Sequence, residues 1–137
     1  MVKFEDMIMS DDGERLFNSD IWQELANRCL ECGICTYLCP TCHCYDIQDY
    51  AADQTGERYR CWDSCLFSNF TEMAHGDNPR EKTYQRLRQR FFHKLVYFPE
   101  EQEESLACVG CGRCLGSCPV NIDITEVLAL AGGVIND

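Results

Sequence analysis

Eight cysteines fall in two runs of identical spacing, Cys29-x2-Cys32-x2-Cys35-x3-Cys39-Pro40 and Cys108-x2-Cys111-x2-Cys114-x3-Cys118-Pro119, with Gly33 and Gly112 at the same place in each. No other feature limits what the chain can fold into so tightly. Three cysteines at intervals of three wrap a loop around one cube of iron and sulfide, while the fourth, held by its proline, points toward a second cube. One four-iron cluster then takes Cys29, Cys32 and Cys35 with Cys118, and the other takes Cys108, Cys111 and Cys114 with Cys39. Glycine inside each loop allows close backbone approach and amide donation to sulfur. Crossed ligation also ties the two ends of the chain together. Structural zinc takes four ligands, typically as two CxxC-like pairs, so it explains a doubled run of three plus one poorly.

Twelve cysteines in 137 residues leave Cys42, Cys44, Cys61 and Cys65 over. Four is the number one more cluster requires, so these residues are candidates for a third iron–sulfur centre, with Trp62 and Phe67 as apolar shielding. Three other readings stay open: buried free thiols, zinc held by the same four, or a ligand set in which His43, His75 or Asp77 replaces one thiol.

A cysteine-rich short chain suggests disulfides only in an oxidising compartment. The N-terminus, MVKFEDMIMSDDGERLF, has acidic residues where an export signal needs a basic region, and no apolar run of signal or membrane length. The expectation is a cytoplasmic chain with no membrane span and reduced, metal-holding thiols. The formal charge of -11, from 23 acidic and 12 basic residues, disfavours nucleic acid as a partner. Six of those basic residues, Arg80, Lys82, Arg86, Arg88, Arg90 and Lys94, crowd into fifteen positions. They read either as a solvated helix face or as cations that offset nearby thiolate clusters or dock a partner.

Local patterns predict mostly helix. Asn18, Ser19 and Asp20 offer caps for a helix through Ile21, Trp22, Leu25 and Cys29. Tyr45 to Ala52 reads as another turn or two of helix, and the stretch 54–57 as a turn. Asn78-Pro79-Arg80-Glu81 looks like a helix start, with Tyr84, Leu87, Phe91, Leu95 and Phe98 forming an apolar stripe to about residue 98. The acidic stretch 99–105 reads as a loop. Asp123 caps a closing helix that Gly132 and Gly133 should stop. Because 68 residues separate Cys39 from Cys108, the chain is expected to be a mainly α, helical dicluster ferredoxin with an extended insertion, and a single domain over 1–137. Its parts are a first motif at 29–40, an insertion at 41–107 with the extra cysteines and basic helix, a second motif at 108–119 and a closing helix at 120–137.

The doubled motif, with CPVNIDI leading into the closing helix, resembles the helical ferredoxin domain of succinate dehydrogenase iron–sulfur subunits and heterodisulfide reductase small subunits. From about Ile21 onward, CPTCHCYD, RYRCWDSCLFSNFTEMAHGDNPR, RLRQRFFHK and CVGCGRCLGSCPVNIDI are similar to the C-terminal dicluster region of the sulfhydrogenase beta and anaerobic sulfite reductase A families. The resemblance puts Cys42, Cys44 and Cys65 before Cys61 as ligands. It implies an electron-relay subunit of an anaerobic oxidoreductase complex, between a flavin-bearing partner and a catalytic subunit of hydrogenase, sulfite reductase or heterodisulfide reductase type. Relatives carry a longer N-terminal region, so a small stand-alone subunit is expected here. No dinucleotide fingerprint, phosphate loop or nucleophile motif is present, which leaves the chain without catalytic residues of its own. The alternative is a catalytic iron–sulfur or thiol subunit of disulfide reductase type working through Cys42, Cys44, Cys61 and Cys65.

Overall fold

The computed structural model describes residues 11–102 and 106–136. The export-signal reading of residues 1–10 and the end of the acidic connector, residues 103–105, lie outside them. The chain runs through α1 (Asp11–Phe17), α2 (Ile21–Ala26) and α3 (Ile34–Tyr37), then strands β1 (Tyr45–Ala52) and β2 (Thr55–Trp62). A 3-10 turn, Ser68–Thr71, leads to α4 (Thr83–Phe92), which continues through a wider π turn (His93–Tyr97) into α5 (Phe98–Gln102). Two helices close the chain, α6 (Arg113–Ser117) and α7 (Ile124–Asn136).

The fold is therefore mixed, and the expected mainly α insertion is corrected by an antiparallel hairpin. Strands β1 and β2 pair from Tyr45↔Trp62 to Ala52↔Thr55. Tyr45, Ile47, Tyr59 and Cys61 alternate with Asp46, Gln48, Arg58 and Arg60, and tyrosine and isoleucine fit a pleated strand better than a helix. The helical reading failed because nearly every residue of both strands is exposed, so no apolar stripe marks either face. Arg58 forks onto Asp49 across the strands at 2.6 and 2.8 Å, a cross-strand pair of the kind that fixes register. The turn is the two residues between Ala52 and Thr55, with Asp53 at φ 49; the stretch 54–57 expected to turn is mostly strand.

The core gathers Leu16, Trp22, Leu25, Leu66, Leu87, Phe91, Phe92, Leu95, Ile122 and Val127. Trp22 stacks on Phe91 at 6.2 Å, and its indole N–H donates to the Leu16 carbonyl at 2.6 Å, which joins α2 to both α1 and α4. The apolar stripe expected on α4 is thus real at Leu87, Phe91 and Leu95. Its start is four residues late, because Asn78 is occupied elsewhere. The Asn78 carboxamide oxygen accepts from the Thr71 hydroxyl at 2.7 Å and the Arg80 amide at 2.9 Å. Arg86 Nη1 meanwhile takes the carbonyls of Arg80 and Glu81, which holds that segment as a loop.

The helix also runs past its expected end, so the first part of the acidic stretch is helix instead of loop. Pro99 has no N–H to give a preceding carbonyl, and the chain widens: the Phe98 amide reaches back five residues to His93, while the Lys94 carbonyl accepts from Ala107 at 3.0 Å. Helix α7 likewise does not stop at Gly132 and Gly133. Packing on α1, with Arg15 Nη2 donating to the Val134 carbonyl at 3.0 Å, outweighs a propensity cost of roughly 1 kcal/mol per glycine. Asp123 caps α7 as expected, its carboxylate accepting from the Thr125 amide at 2.8 Å.

Candidate iron–sulfur centre

Each cysteine run folds into the same local shape. Gly33 and Gly112 both adopt φ 73 and cap α3 and α6, and those two short helices pack against each other. Two residues earlier, Glu31 and Gly110 also share left-handed backbone, at φ 53 and 65. Repeated spacing has become repeated backbone.

One cavity, of about 30 Å³, is lined by Cys29, Cys32, Cys35 and, from the other run, Cys118. A second, of about 160 Å³, is lined by Cys108, Cys111 and Cys114 together with Cys39. Two sulfurs already accept backbone amides, Cys29 from Glu31 at 3.4 Å and Cys118 from Ile122 at 3.3 Å. Burial pushes the thiols of Cys29 and Cys35 up, so a positive centre is needed before they ionise and ligate. Burial acts the same way on Cys39, but hydrogen bonds from Thr41 and the cation of Lys94 outweigh it and hold that thiol at about 7.

Residues 28–122 match the family model for a 4Fe-4S dicluster domain. The chain belongs to that family. It is an iron–sulfur domain, and clusters of this type carry single electrons. Over 113 residues it is also 39% identical to sulfhydrogenase 2 subunit beta of Pyrococcus furiosus, a stretch that covers 82% of this chain and 33% of the relative. The chain thus spans about one third of that relative's length. No solved structure matches.

The dicluster donor set fits the geometry. The second cavity is faced by Gly110 and Gly112, where an added Cβ would meet nothing within 4 Å, and soft thiolates are the ligands such clusters take. Among the described residues no three His, Cys, Asp or Glu side chains gather around a single ion. Among the described residues, too, no helix is long and apolar enough to cross a membrane.

The four remaining cysteines are only partly brought together. Cys44 and Cys65 face each other closely enough for their thiols to hydrogen-bond, and Cys42 acts on Cys65 by charge. The bond from Cys65 pulls the Cys44 thiol down to about 6, and the bond with burial drives Cys65 up. Burial takes Cys42 up to about 11 although Lys94 opposes it. Cys44 and Cys65 open onto a cleft of about 670 Å³ with His43, Arg80 and His93. Cys61 stands apart on β2, its thiol donating to the Asp46 carbonyl at 3.8 Å, in a neighbouring cleft with His43 and Trp62. His43 borders both clefts and lies 5.6 Å from the His93 ring. His75 and Asp77 instead pair with each other at 3.1 Å, both exposed. Trp62 is 68% exposed and shields little, while Phe67 packs over Gly33 and Tyr37 of the first run.

The basic segment resolves into two populations. Lys82 is exposed, but Arg86, Arg90 and Lys94 are only 3%, 4% and 4% exposed. Their four-residue spacing puts them on one stripe of the α4 axis, and that stripe faces the cysteines. Arg86 pairs with Glu31 inside the first run and donates to the Leu66 carbonyl at 3.0 Å. Lys94 donates to Thr41 at 2.9 Å beside Cys39. Arg90 lines both cluster cavities. Of the two readings of these cations, a solvated face or an offset to thiolate clusters, burial at positions 86, 90 and 94 fits the second. Two small polar residues had no signal at all: buried Thr36 and Ser64 bond each other at 2.8 Å and pin the insertion to α3.

Proposed function

We propose that the chain is an electron-relay subunit carrying two four-iron clusters. Cys29, Cys32, Cys35 and Cys118 hold one, and Cys108, Cys111, Cys114 and Cys39 hold the other. The observation that carries this reading is the crossing: each three-cysteine loop borders a cavity whose fourth cysteine comes from the opposite end of the chain. When bound, the clusters accept and release single electrons. The chain's own residues position the thiolates and donate amides to sulfur. In this reading the relay is cytoplasmic and works in an anaerobic oxidoreductase complex, between a flavin-bearing partner and a catalytic redox subunit. The likeness to a sulfhydrogenase beta subunit supports a hydrogenase-type partner.

The same reading assigns Cys42, Cys44, Cys61 and Cys65 to a third iron–sulfur centre, completed when the hairpin brings Cys61 toward the other three. Iron, sulfide and zinc content of anaerobically purified protein, with electron paramagnetic resonance of the reduced state, tests it. About twelve irons per chain support three four-iron centres, and about eight leave two. A second reading, disulfide reduction at Cys44 and Cys65, is favoured by their facing thiols beside a roomy cleft. It requires about eight irons, no zinc, and a thiol pair that alkylates without loss of either cluster signal.

A further inference from the structure

Three buried cations on one helix need three accounts. The charge of Arg86 is met by the Glu31 carboxylate and three carbonyls, and Lys94 is held by a hydroxyl next to the Cys39 sulfur. Arg90 has neither. Its Nη2 donates to the Cys35 carbonyl at 3.4 Å, and its guanidinium also hydrogen-bonds the Cys114 sulfur at the wall of the second cavity. Its buried Nε has no hydrogen-bond partner among the described residues. A buried cation left unpaired costs several kcal/mol, so this side chain is built for anions that arrive with the cofactor. It borders both cluster cavities. Burial works against its charge, and Cys35, Cys114 and Cys42, one from each cysteine group, work for it.

We propose that Arg90 is a shared positioning cation that holds the two clusters' thiolates and raises both reduction potentials together. This rests on the two-cluster reading above. Each cluster takes one electron from a one-electron donor, a flavin or another iron–sulfur centre, and its negative charge grows by one. A fixed positive charge at the common wall favours that state at both sites. Arginine keeps its proton throughout, so no proton moves at Arg90 when the electron arrives. Arg86, already neutralised by Glu31, contributes far less to either potential.

The test is a potentiometric titration of the full chain, followed by electron paramagnetic resonance, for wild type, Arg90→Gln, Arg90→Lys and Lys82→Gln. Arg90→Gln is expected to make reduction at both clusters harder by about tenfold, or about 59 mV for a one-electron couple. Arg90→Lys is expected to recover most of that shift, and Lys82→Gln to leave both couples in place. A glutamine variant that shifts neither couple, or only one, overturns the proposal. If Arg90→Gln does not hold its clusters, wild-type protein labelled with 15N only in arginine guanidinium groups decides. Nitrogen coupling on both reduced signals supports a shared cation, and its absence from either one overturns it. Iron content and the number of reduced signals in wild type test the two-cluster reading independently.

Discussion

Residues 29–40 and 108–119 share cysteine spacing, left-handed positions and a short helix, yet Gly33 is buried and Gly112 is exposed. A Cβ at Gly33 would stand 2.8 Å from the Phe67 ring, whereas one at Gly112 would meet nothing within 4 Å. The first run is roofed by the insertion and clamped to α4 through Glu31 and Arg86. The second presents Val109, Gly110, Cys111, Arg113 and Leu115 to solvent. Identical motifs thus differ in cover at their glycines, although Cys32 and Cys111 are exposed in both. Cluster spacing is a local property, while shielding belongs to whatever packs on top.

The largest effect should come from breaking the crossing. In Cys118→Ala the cluster at the first run should be lost and that at the second retained, with the reverse in Cys39→Ala, read from iron content and the reduced-state spectrum. A first-run signal surviving in Cys118→Ala would break the pairing.

Glycine replacement sharpens the contrast next. Gly33→Ala should destabilise by about 3 kcal/mol, from left-handed strain plus collision with Phe67, and Gly112→Ala by about 1 kcal/mol from strain alone. Denaturant midpoints of the cluster-loaded variants measure both, and equal losses would erase the claimed difference in cover.

Glu31→Gly copies Gly110 of the second run and relieves a left-handed glutamate, but it strips Arg86 of its carboxylate. The net loss should be about 2 kcal/mol, below the full cost of breaking a buried pair because Glu31 is partly exposed. An unchanged midpoint would show that Arg86 does not clamp the first run.

The weakest lever is pH. Burial, with His43 and Lys94 nearby, holds the His93 imidazole below its usual 6.5. The unfolded chain therefore takes up a proton first as pH falls. The His93 contribution is fully present above about 6.5 and is lost below it. His93→Gln should flatten that part of a stability-against-pH curve, and a curve of unchanged slope would remove His93 from the account.

The iron–sulfur family was legible because its two cysteine runs obey a spacing rule. The core stripe Leu87, Phe91 and Leu95 and the Asp123 cap follow similarly local rules, those of helix periodicity and capping. The hairpin was not legible, since residues 45–62 bury no face and so leave no periodicity to read. The helix start at Thr83 was hidden because Asn78 bonds Thr71, a contact no local pattern encodes.

By itself, then, the sequence determined the eight-cysteine pattern, its iron–sulfur chemistry and the presence of a long helix beside it, all consequences of residue type at short separation. Tertiary structure alone decided that Arg86, Arg90 and Lys94 turn inward, that Arg90 borders two cavities, and that Gly33 is covered by Phe67 while Gly112 is open. The physical reason is that burial of a charge depends on which anions the fold brings to it. Arg90 meets Cys35 and Cys114, from opposite ends of the chain, only after folding.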